Sequence, residues 1–337
     1  MSIVATGGGT GGHLAIIKAV KEHIDGNLVY IGSTKGQDRE WFENDSSFNN
    51  SYFLDSKGVM DKGKIGKIFA LVNIAKQVLE ARKILKKENA KVVFSVGGYS
   101  AAPAAIAAIT LRVPLVIHEQ NAYVGNLNRI LRPFAKAFIS SYEKDSIEKS
   151  YPINDIYFKT ARVRKDVKKV LIVGGSQGSV ALNKFALELA PHLDKKGIKI
   201  YHQAGVKNVD SVQEEYKKLG IDAEVFGFSK ELPQIIANSD FAISRAGAST
   251  LWELVANGLP TLFVPYPYAA NDHQYYNAKF LVDNNLAWLK RESELDVDFV
   301  LDLITQDLSK VSSELTKQIE PDGAKRVAKY LESIAQN

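Results

Sequence analysis

At 337 residues the chain is too long for one ordinary core, so two domains are expected. Hydrophobic residues at 45% and charged residues at 24% exclude wholesale disorder, and the lack of cysteine excludes disulfides, thiolate metal sites and a cysteine nucleophile. Six scattered histidines argue against a zinc cluster, and a formal charge of +5 suits an anionic ligand or membrane surface without implying nucleic acid.

The N-terminus lacks the basic region and long apolar stretch of a secretory signal, so a cytoplasmic protein is expected. A first short strand runs into Gly7-Gly8-Gly9-Thr10-Gly11-Gly12 and then a helix. This spacing satisfies the dinucleotide fingerprint, which also needs an acid at the end of the next strand. That strand, Leu28 to Gly32, is followed by Ser33-Thr34-Lys35, which disfavours a nicotinamide enzyme. What survives is an anion-binding turn at a helix N-terminus. His13, in the first helical turn, reads equally well as a base kept neutral by the helix end or as a structural imidazole.

From Lys57 to Lys87 the chain carries nine basic and two acidic residues around Val59, Met60, Ile65, Ile68, Phe69, Leu71, Val72 and Ile74. That apolar set is too wide for one core-facing stripe, so a membrane-facing patch over 57–87 is expected. A strand at Val92 to Val96 follows a helix at Lys76 to Lys87. The uncharged run Val92 to Leu111 is broken by Gly97, Gly98 and Pro103, which makes it a poor spanning helix. Leu115-Val116-Ile117 is a buried strand, and His118-Glu119-Gln120-Asn121 at its carboxyl end belongs at a ligand crevice.

Tyr151 to Asp166 is polar, basic and aperiodic, which places a linker around 158 to 165. The opening unit then repeats: Lys169 to Val173 runs into Gly174-Gly175-Ser176-Gln177-Gly178 and a helix over Leu182 to Leu193. This turn also spells the G-x-S-x-G elbow of hydrolases, but no downstream acid and histidine pair can be singled out. After the strand Phe241 to Ile243, Ser244 to Glu253 opens a helix that stops at Asn257-Gly258 before Pro260. Thr250 and Glu253 there fit a capping box or, alternatively, an anion site with Glu253 left for ribose hydroxyls. A strand at Thr261 to Val264 and a helix at Asn277 to Leu286 follow. Strand-helix alternation throughout predicts an α/β protein of parallel sheets covered by helices, with ligands at the strands' carboxyl ends.

Gly8 to His13, His118 to Asn121, Gly174 to Gly178, Arg245 to Thr250, and Asp272-His273-Gln274 with Asn277-Ala278 resemble, in order and spacing, the MurG family of peptidoglycan glycosyltransferases. The resemblance spans essentially the whole chain. It implies a GT-B fold of two Rossmann-like domains and inverting, metal-independent transfer of N-acetylglucosamine from UDP-N-acetylglucosamine to lipid I. It also implies domains at 1–161, for acceptor and membrane, and 162–320, for the donor, with 321–337 packing back on the first. The protein is then expected at the cytoplasmic face of the inner membrane, bound to anionic lipid and without a cofactor. Other cell-wall synthesis or division proteins are candidate partners, and nucleic acid is not.

By the same resemblance, Thr10, Gly11 and Gly12 lie near donor phosphate or sugar, and His13 is the base for the acceptor hydroxyl, with Glu119 as the alternative. Asn121 contacts the sugar; Arg164, Ser176 and Gln177 line the diphosphate side. Phe228 and the backbone of Ser229 meet uracil. Ala248, Ser249 and Thr250 bind diphosphate, Glu253 the ribose and Gln274 the N-acetylglucosamine hydroxyls. Thr160-Ala161-Arg162-Val163-Arg164 stands where the family has Gly-Asn-Pro-Val-Arg, and Phe228-Ser229 where it has Phe-Ile. Two rivals remain: a related transferase with another acceptor, such as diacylglycerol, and a non-catalytic sugar-nucleotide binder.

Overall fold

A computed structural model describes residues 2–56, 64–175 and 177–336, with only the backbone of 64–71. The chain divides into two compact units, Met1–Asn154 with Asp322–Asn337, and Asp155–Pro321. The first unit runs β1 (Ser2–Thr6), α1 (Gly11–Lys21), β2 (Asn27–Ser33), α2 (Asp38–Phe42), β3 (Asn50–Leu54), α3 (Lys64–Lys87), β4 (Ala90–Ser95), α4 (Ala102–Leu111), β5 (Leu115–Glu119), α5 (Asn126–Leu131) and β6 (Ala137–Ser140). The second runs α6 (Ile156–Lys159), β7 (Lys169–Val173), α7 (Val180–Lys195), β8 (Lys199–Gln203), α8 (Val209–Lys218), β9 (Ala223–Phe226), α9 (Leu232–Asn238) and β10 (Phe241–Ser244). It continues through α10 (Ala248–Ala256), β11 (Thr261–Phe263), α11 (His273–Asp283), β12 (Trp288–Leu289), α12 (Val297–Leu303) and α13 (Ser309–Leu315). A last helix, α14 (Gly323–Gln336), belongs to the first unit and packs on α1, β1 and β4.

Each unit holds one six-stranded parallel sheet, ordered β3-β2-β1-β4-β5-β6 and β12-β11-β10-β7-β8-β9. Counted from its own first strand, the second sheet repeats the order of the first. In both, the order reverses between the first and fourth strands, and ligands of doubly wound sheets lie beyond the carboxyl ends at that point. The central strands can be continuous apolar runs because helices cover both faces. Val170, Leu171, Ile172 and Val173 of β7 are all buried, as are Leu14, Ile16, Ile17 and Val20 of α1. Burying each such side chain contributes about 1.5–3 kcal/mol.

Three local expectations are corrected. The segment 158–165 is not an open linker: the end of α6 reaches into it, Tyr157 is buried beside it, and Arg164 is 1% exposed. No capping box forms at Thr250, because α10 opens one turn earlier with Gly247 as its N-cap. α11 begins at His273, one turn before the expected start at Asn277.

Candidate active site

The glycine-rich turn after β1 depends on what packs against it. Gly9 has φ of 84°, and a Cβ there would come within 2.8 Å of the Tyr99 ring. Its N–H donates to Asp38 Oδ2 at 2.6 Å, while Ser33 N–H and the Tyr30 hydroxyl donate to Oδ1 at 2.9 and 3.0 Å. Burial, reinforced by Asp38, pushes the Tyr30 phenol far above its usual range, so it stays a donor. Sequence reasoning looked for an acid directly after β2 and missed Asp38, five residues on. This carboxylate is fully buried and braces the turn, so it is not a ribose holder.

Thr10 precedes α1, yet its hydroxyl does not cap the helix; it lies 3.0 Å from His13 Nδ1. Gln120 Nε2 stands 2.9 Å from His13 Nε2 and 3.4 Å from Nδ1, so it contacts both ring nitrogens. Gln120 follows β5 directly, so the strand's carboxyl end reaches the first turn of α1. The His118 ring beneath is fully buried, edge-on to Phe94 and Tyr151, and neither ring nitrogen has a hydrogen-bond partner. Desolvation, with His13 nearby, holds it neutral down to about 3.

Glu119 is not available as a base. Its Oε1 accepts from Asn121 N–H at 2.9 Å, and its Oε2 from Gly125 N–H and Asn128 Nδ2, each at 2.9 Å. The carboxylate is buried and fastens the loop carrying Asn121, which corrects the expectation that it stands in for His13.

In the second unit, the turn after β7 closes with Gly178 N–H donating to Gly175 O at 2.9 Å. Gly178 has φ of 76°, and a Cβ there would run into the Ala204 carbonyl. Gln177 is exposed on this turn, and Ser176 lies outside the described residues. Ser179, unremarked in the sequence though it precedes an apolar helical period, caps α7 by accepting from Leu182 N–H at 3.2 Å. Its hydroxyl also accepts from Arg245 Nη2 at 2.6 Å. Arg245 further donates to the Val264 and Pro265 carbonyls, each at 3.1 Å, and pairs with Glu292, so it ties β7, β10 and β11 together at their carboxyl ends.

Ala248, Ser249 and Thr250 form the first turn of α10, directly after β10. Glu253, one turn on, is half-buried, and burial raises its carboxyl to about 7 despite a hydrogen bond from the Tyr157 hydroxyl. Gln274 sits in the first turn of α11 with its Oε1 accepting from Tyr266 N–H at 2.9 Å. Beyond β9, Phe228 is exposed, and the Ser229 hydroxyl accepts from Glu231 N–H at 3.0 Å.

Arg164 does not face a diphosphate. Its Nε donates to Ser239 O at 3.1 Å, Nη1 to Arg162 O at 2.8 Å and to Asn257 O, and Nη2 to Ile236 O at 3.2 Å and to Asn257 Oδ1. All five guanidinium N–H groups are therefore spent inside the unit. Burial, with Arg162 beside it, lowers this guanidinium to about 9.

Residues 3–140 match the glycosyltransferase family 28 N-terminal domain and residues 169–333 its C-terminal domain. Over 338 residues the chain is 56% identical to a UDP-N-acetylglucosamine–N-acetylmuramyl-(pentapeptide) pyrophosphoryl-undecaprenol N-acetylglucosamine transferase of a Sulfurovum species, covering 100% of both chains. It is 50% identical to the transferase of the same name from Wolinella succinogenes, over 98% of this chain and 99% of that one. Among solved structures, it resembles Acinetobacter baumannii MurG with a TM-score of 0.77 and 27% identity, over 98% of this chain and 99% of that chain. The fold alone is shared with a Neisseria meningitidis UDP-GlcNAc 2-epimerase, at a TM-score of 0.60, 14% identity and full coverage of both chains.

Proposed function

The chain belongs to glycosyltransferase family 28, and from that premise we infer that it transfers N-acetylglucosamine from UDP-N-acetylglucosamine to the muramoyl 4-hydroxyl of lipid I, forming lipid II. One observation carries the reading into chemistry. Motifs far apart in sequence gather at the carboxyl ends of β1 and β5 in one unit and of β7 and β10 in the other.

The acceptor hydroxyl attacks the anomeric carbon, the bond from that carbon to the UDP oxygen breaks, and the configuration inverts. His13 takes the hydroxyl proton. The Thr10 and Gln120 contacts on its ring nitrogens support that role by holding the ring in place. Negative charge develops on the departing diphosphate, and the opening turn of α10, with Ala248, Ser249 and Thr250, offers helix-end N–H groups to it. The turn bearing Ser176 and Gln177 takes the other side. Glu253 accepts ribose hydroxyls, Phe228 and the Ser229 backbone flank uracil, and Gln274 and Asn121 contact sugars, with Thr10, Gly11 and Gly12 beside phosphate or sugar.

The acceptor's lipid tail remains in a bilayer, and residues 57–87 form the membrane-facing side, at the cytoplasmic face of the inner membrane. Residues 57–63, and the side chains up to Leu71, lie outside the described residues. In the rest of α3, Val72 (50% exposed) and Leu79 (61%) share one helix face with exposed Lys76, Lys83 and Lys86. Apolar residues interleaved with lysines on one face suit an anionic bilayer interface. Among the described residues no helix is long and apolar enough to span. Lipid II synthesis ties the protein to cell shape and division, and other proteins of those processes are candidate partners.

The deciding experiment is transfer of labelled N-acetylglucosamine from its UDP donor to a lipid I analogue in the presence of EDTA. Labelled disaccharide product is the expected result. Binding of the donor without product would move the acceptor assignment elsewhere, and failure to bind the donor would overturn the reading.

A further inference from the structure

Asn271 and Asp272, the two residues before α11, both adopt left-handed backbone, with φ of 53° and 54°. Asn and Asp visit this region more readily than other side-chain-bearing residues, but singly, so two in succession call for a constraint from their surroundings. Arg291, on the segment following β12, supplies that constraint. Its Nη1 and Nη2 donate to Asp272 Oδ1 and Oδ2 at 2.8 and 2.5 Å, a parallel fork that fixes the carboxylate plane. The guanidinium lies 4.6 Å from the Tyr275 ring centre, one helical turn into α11. Its own backbone is pinned as well, since Arg291 N–H donates to Glu294 Oε2 at 2.8 Å. Arg291 thus grips α11 at a residue before it and at a residue inside it. Gln274 lies between those two grips. With its Oε1 committed to Tyr266 N–H, its amide N–H groups are what it presents to a ligand.

We propose that Arg291 is a positioning residue for selection of the donor sugar: its fork on Asp272 locks the left-handed turn and so aims the Gln274 amide at the sugar hydroxyls. The proposal rests on the reading above, in which Gln274 contacts the N-acetylglucosamine hydroxyls. A rigid amide distinguishes an equatorial from an axial hydroxyl, whereas one that can swing by an ångström serves both. The ligand class governed by the clamp is therefore the UDP-linked hexosamine and its C4 epimer.

The test uses the full chain with a lipid I analogue and measures kcat and KM separately for UDP-N-acetylglucosamine and UDP-N-acetylgalactosamine, with inhibition by UDP alone as control. R291K keeps the charge but loses the planar fork. It should raise KM for UDP-N-acetylglucosamine about ten-fold with kcat within about two-fold, and lower the preference between epimers about ten-fold. Inhibition by UDP, which carries no sugar, should not change. D272N, which tolerates the left-handed backbone while losing the ion pair, should behave alike. Q274A tells the two possible failures apart. If Q274A loses the preference while R291K and D272N keep it, the clamp is overturned and the sugar contact stands. If Q274A itself keeps the preference, the underlying reading falls and the proposal with it. A parallel loss of UDP inhibition in R291K would make Arg291 a general support of the unit and overturn the positioning role.

Discussion

Gln120 Nε2 lies 2.9 Å from His13 Nε2 and 3.4 Å from Nδ1, across 107 residues of sequence, while Thr10 Oγ1 lies 3.0 Å from Nδ1. Gln120 Oε1 is buried without a hydrogen-bond partner, so the amide is anchored only through its nitrogen. The acceptor hydroxyl must reach a ring nitrogen beside this amide. H13A should lower kcat by about 10²–10⁴-fold, the range for a general base, with UDP affinity within about two-fold of the parent. Q120A leaves the base but frees its ring, and about a ten-fold loss is expected. Steady-state kinetics and calorimetric titration with UDP check both; full turnover by H13A would remove His13 from the chemistry.

Glu253 should make donor binding depend on pH. Burial raises its carboxyl from the ordinary value of 4.5 to about 7. The ionised form accepts from two ribose hydroxyls and the protonated form does so poorly, so KM for UDP-N-acetylglucosamine should climb as pH falls from about 8 to 6. The stability effect has the opposite sign. A raised folded pKa favours the protonated form, so this contribution is complete below pH 4.5 and is lost as pH rises through about 7. E253Q cannot titrate. A KM that still climbs on acidification in E253Q would place the titrating group elsewhere.

Arg164 gives a prediction about stability. Replacing it by Leu strips donors from the carbonyls of Arg162, Ile236, Ser239 and Asn257 and from the Asn257 side chain. Removing one side of such a buried polar cluster costs about 3–5 kcal/mol. Urea unfolding should therefore show the second unit strongly destabilised, while the protein that remains folded binds UDP with nearly parental affinity. Lost affinity with intact stability would return Arg164 to the diphosphate.

The strands that sequence made legible, β1, β2, β4, β5, β7, β10 and β11, are internal, apolar runs. Those it missed are mostly edges: β3, β6, β9 and β12 bound their sheets, and a strand such as Asn50-Ser51-Tyr52-Phe53-Leu54 needs only one partner and little apolar length. β8, Lys199-Ile200-Tyr201-His202-Gln203, is internal but not an apolar run, because its buried His202 is satisfied by the side chains of Tyr216 and Asn183. The site shows the same division. Contiguous motifs such as Gly7 to His13 and His118 to Asn121 were readable because neighbours in sequence act together. Asp38 under the glycine turn, Tyr157 on Glu253 and Arg291 on Asp272 act through space, and one sequence contains no signal that pairs them. Arg164 misled for the converse reason: a basic residue in a polar stretch reads as exposed until the carbonyls around it are seen.

The two buried histidines should make both units sensitive to acid. His118 titrates near 3 and His202 near 4, each held down by desolvation, and both are fully buried. Their folded pKa values lie below the ordinary value of 6.5, so on acidification the unfolded chain takes up protons that the folded chain refuses. Stability is complete above about pH 6.5 and falls by about 1.4 kcal/mol per pH unit for each histidine until the folded pKa is reached. The two differ in their bonding. His202 is held by Tyr216 and Asn183, each at 3.0 Å, so H202F should destabilise at pH 7, where both partners are stranded. His118 has no hydrogen bond to lose and sits edge-on between two aromatic rings. H118F should therefore be within about 1 kcal/mol of the parent at pH 7, where no buried donor or acceptor is stranded, and more stable than the parent at pH 5. Denaturant unfolding of the two proteins at both pH values checks this, and curves that stay parallel across the range would mean that the His118 ring protonates in the folded state.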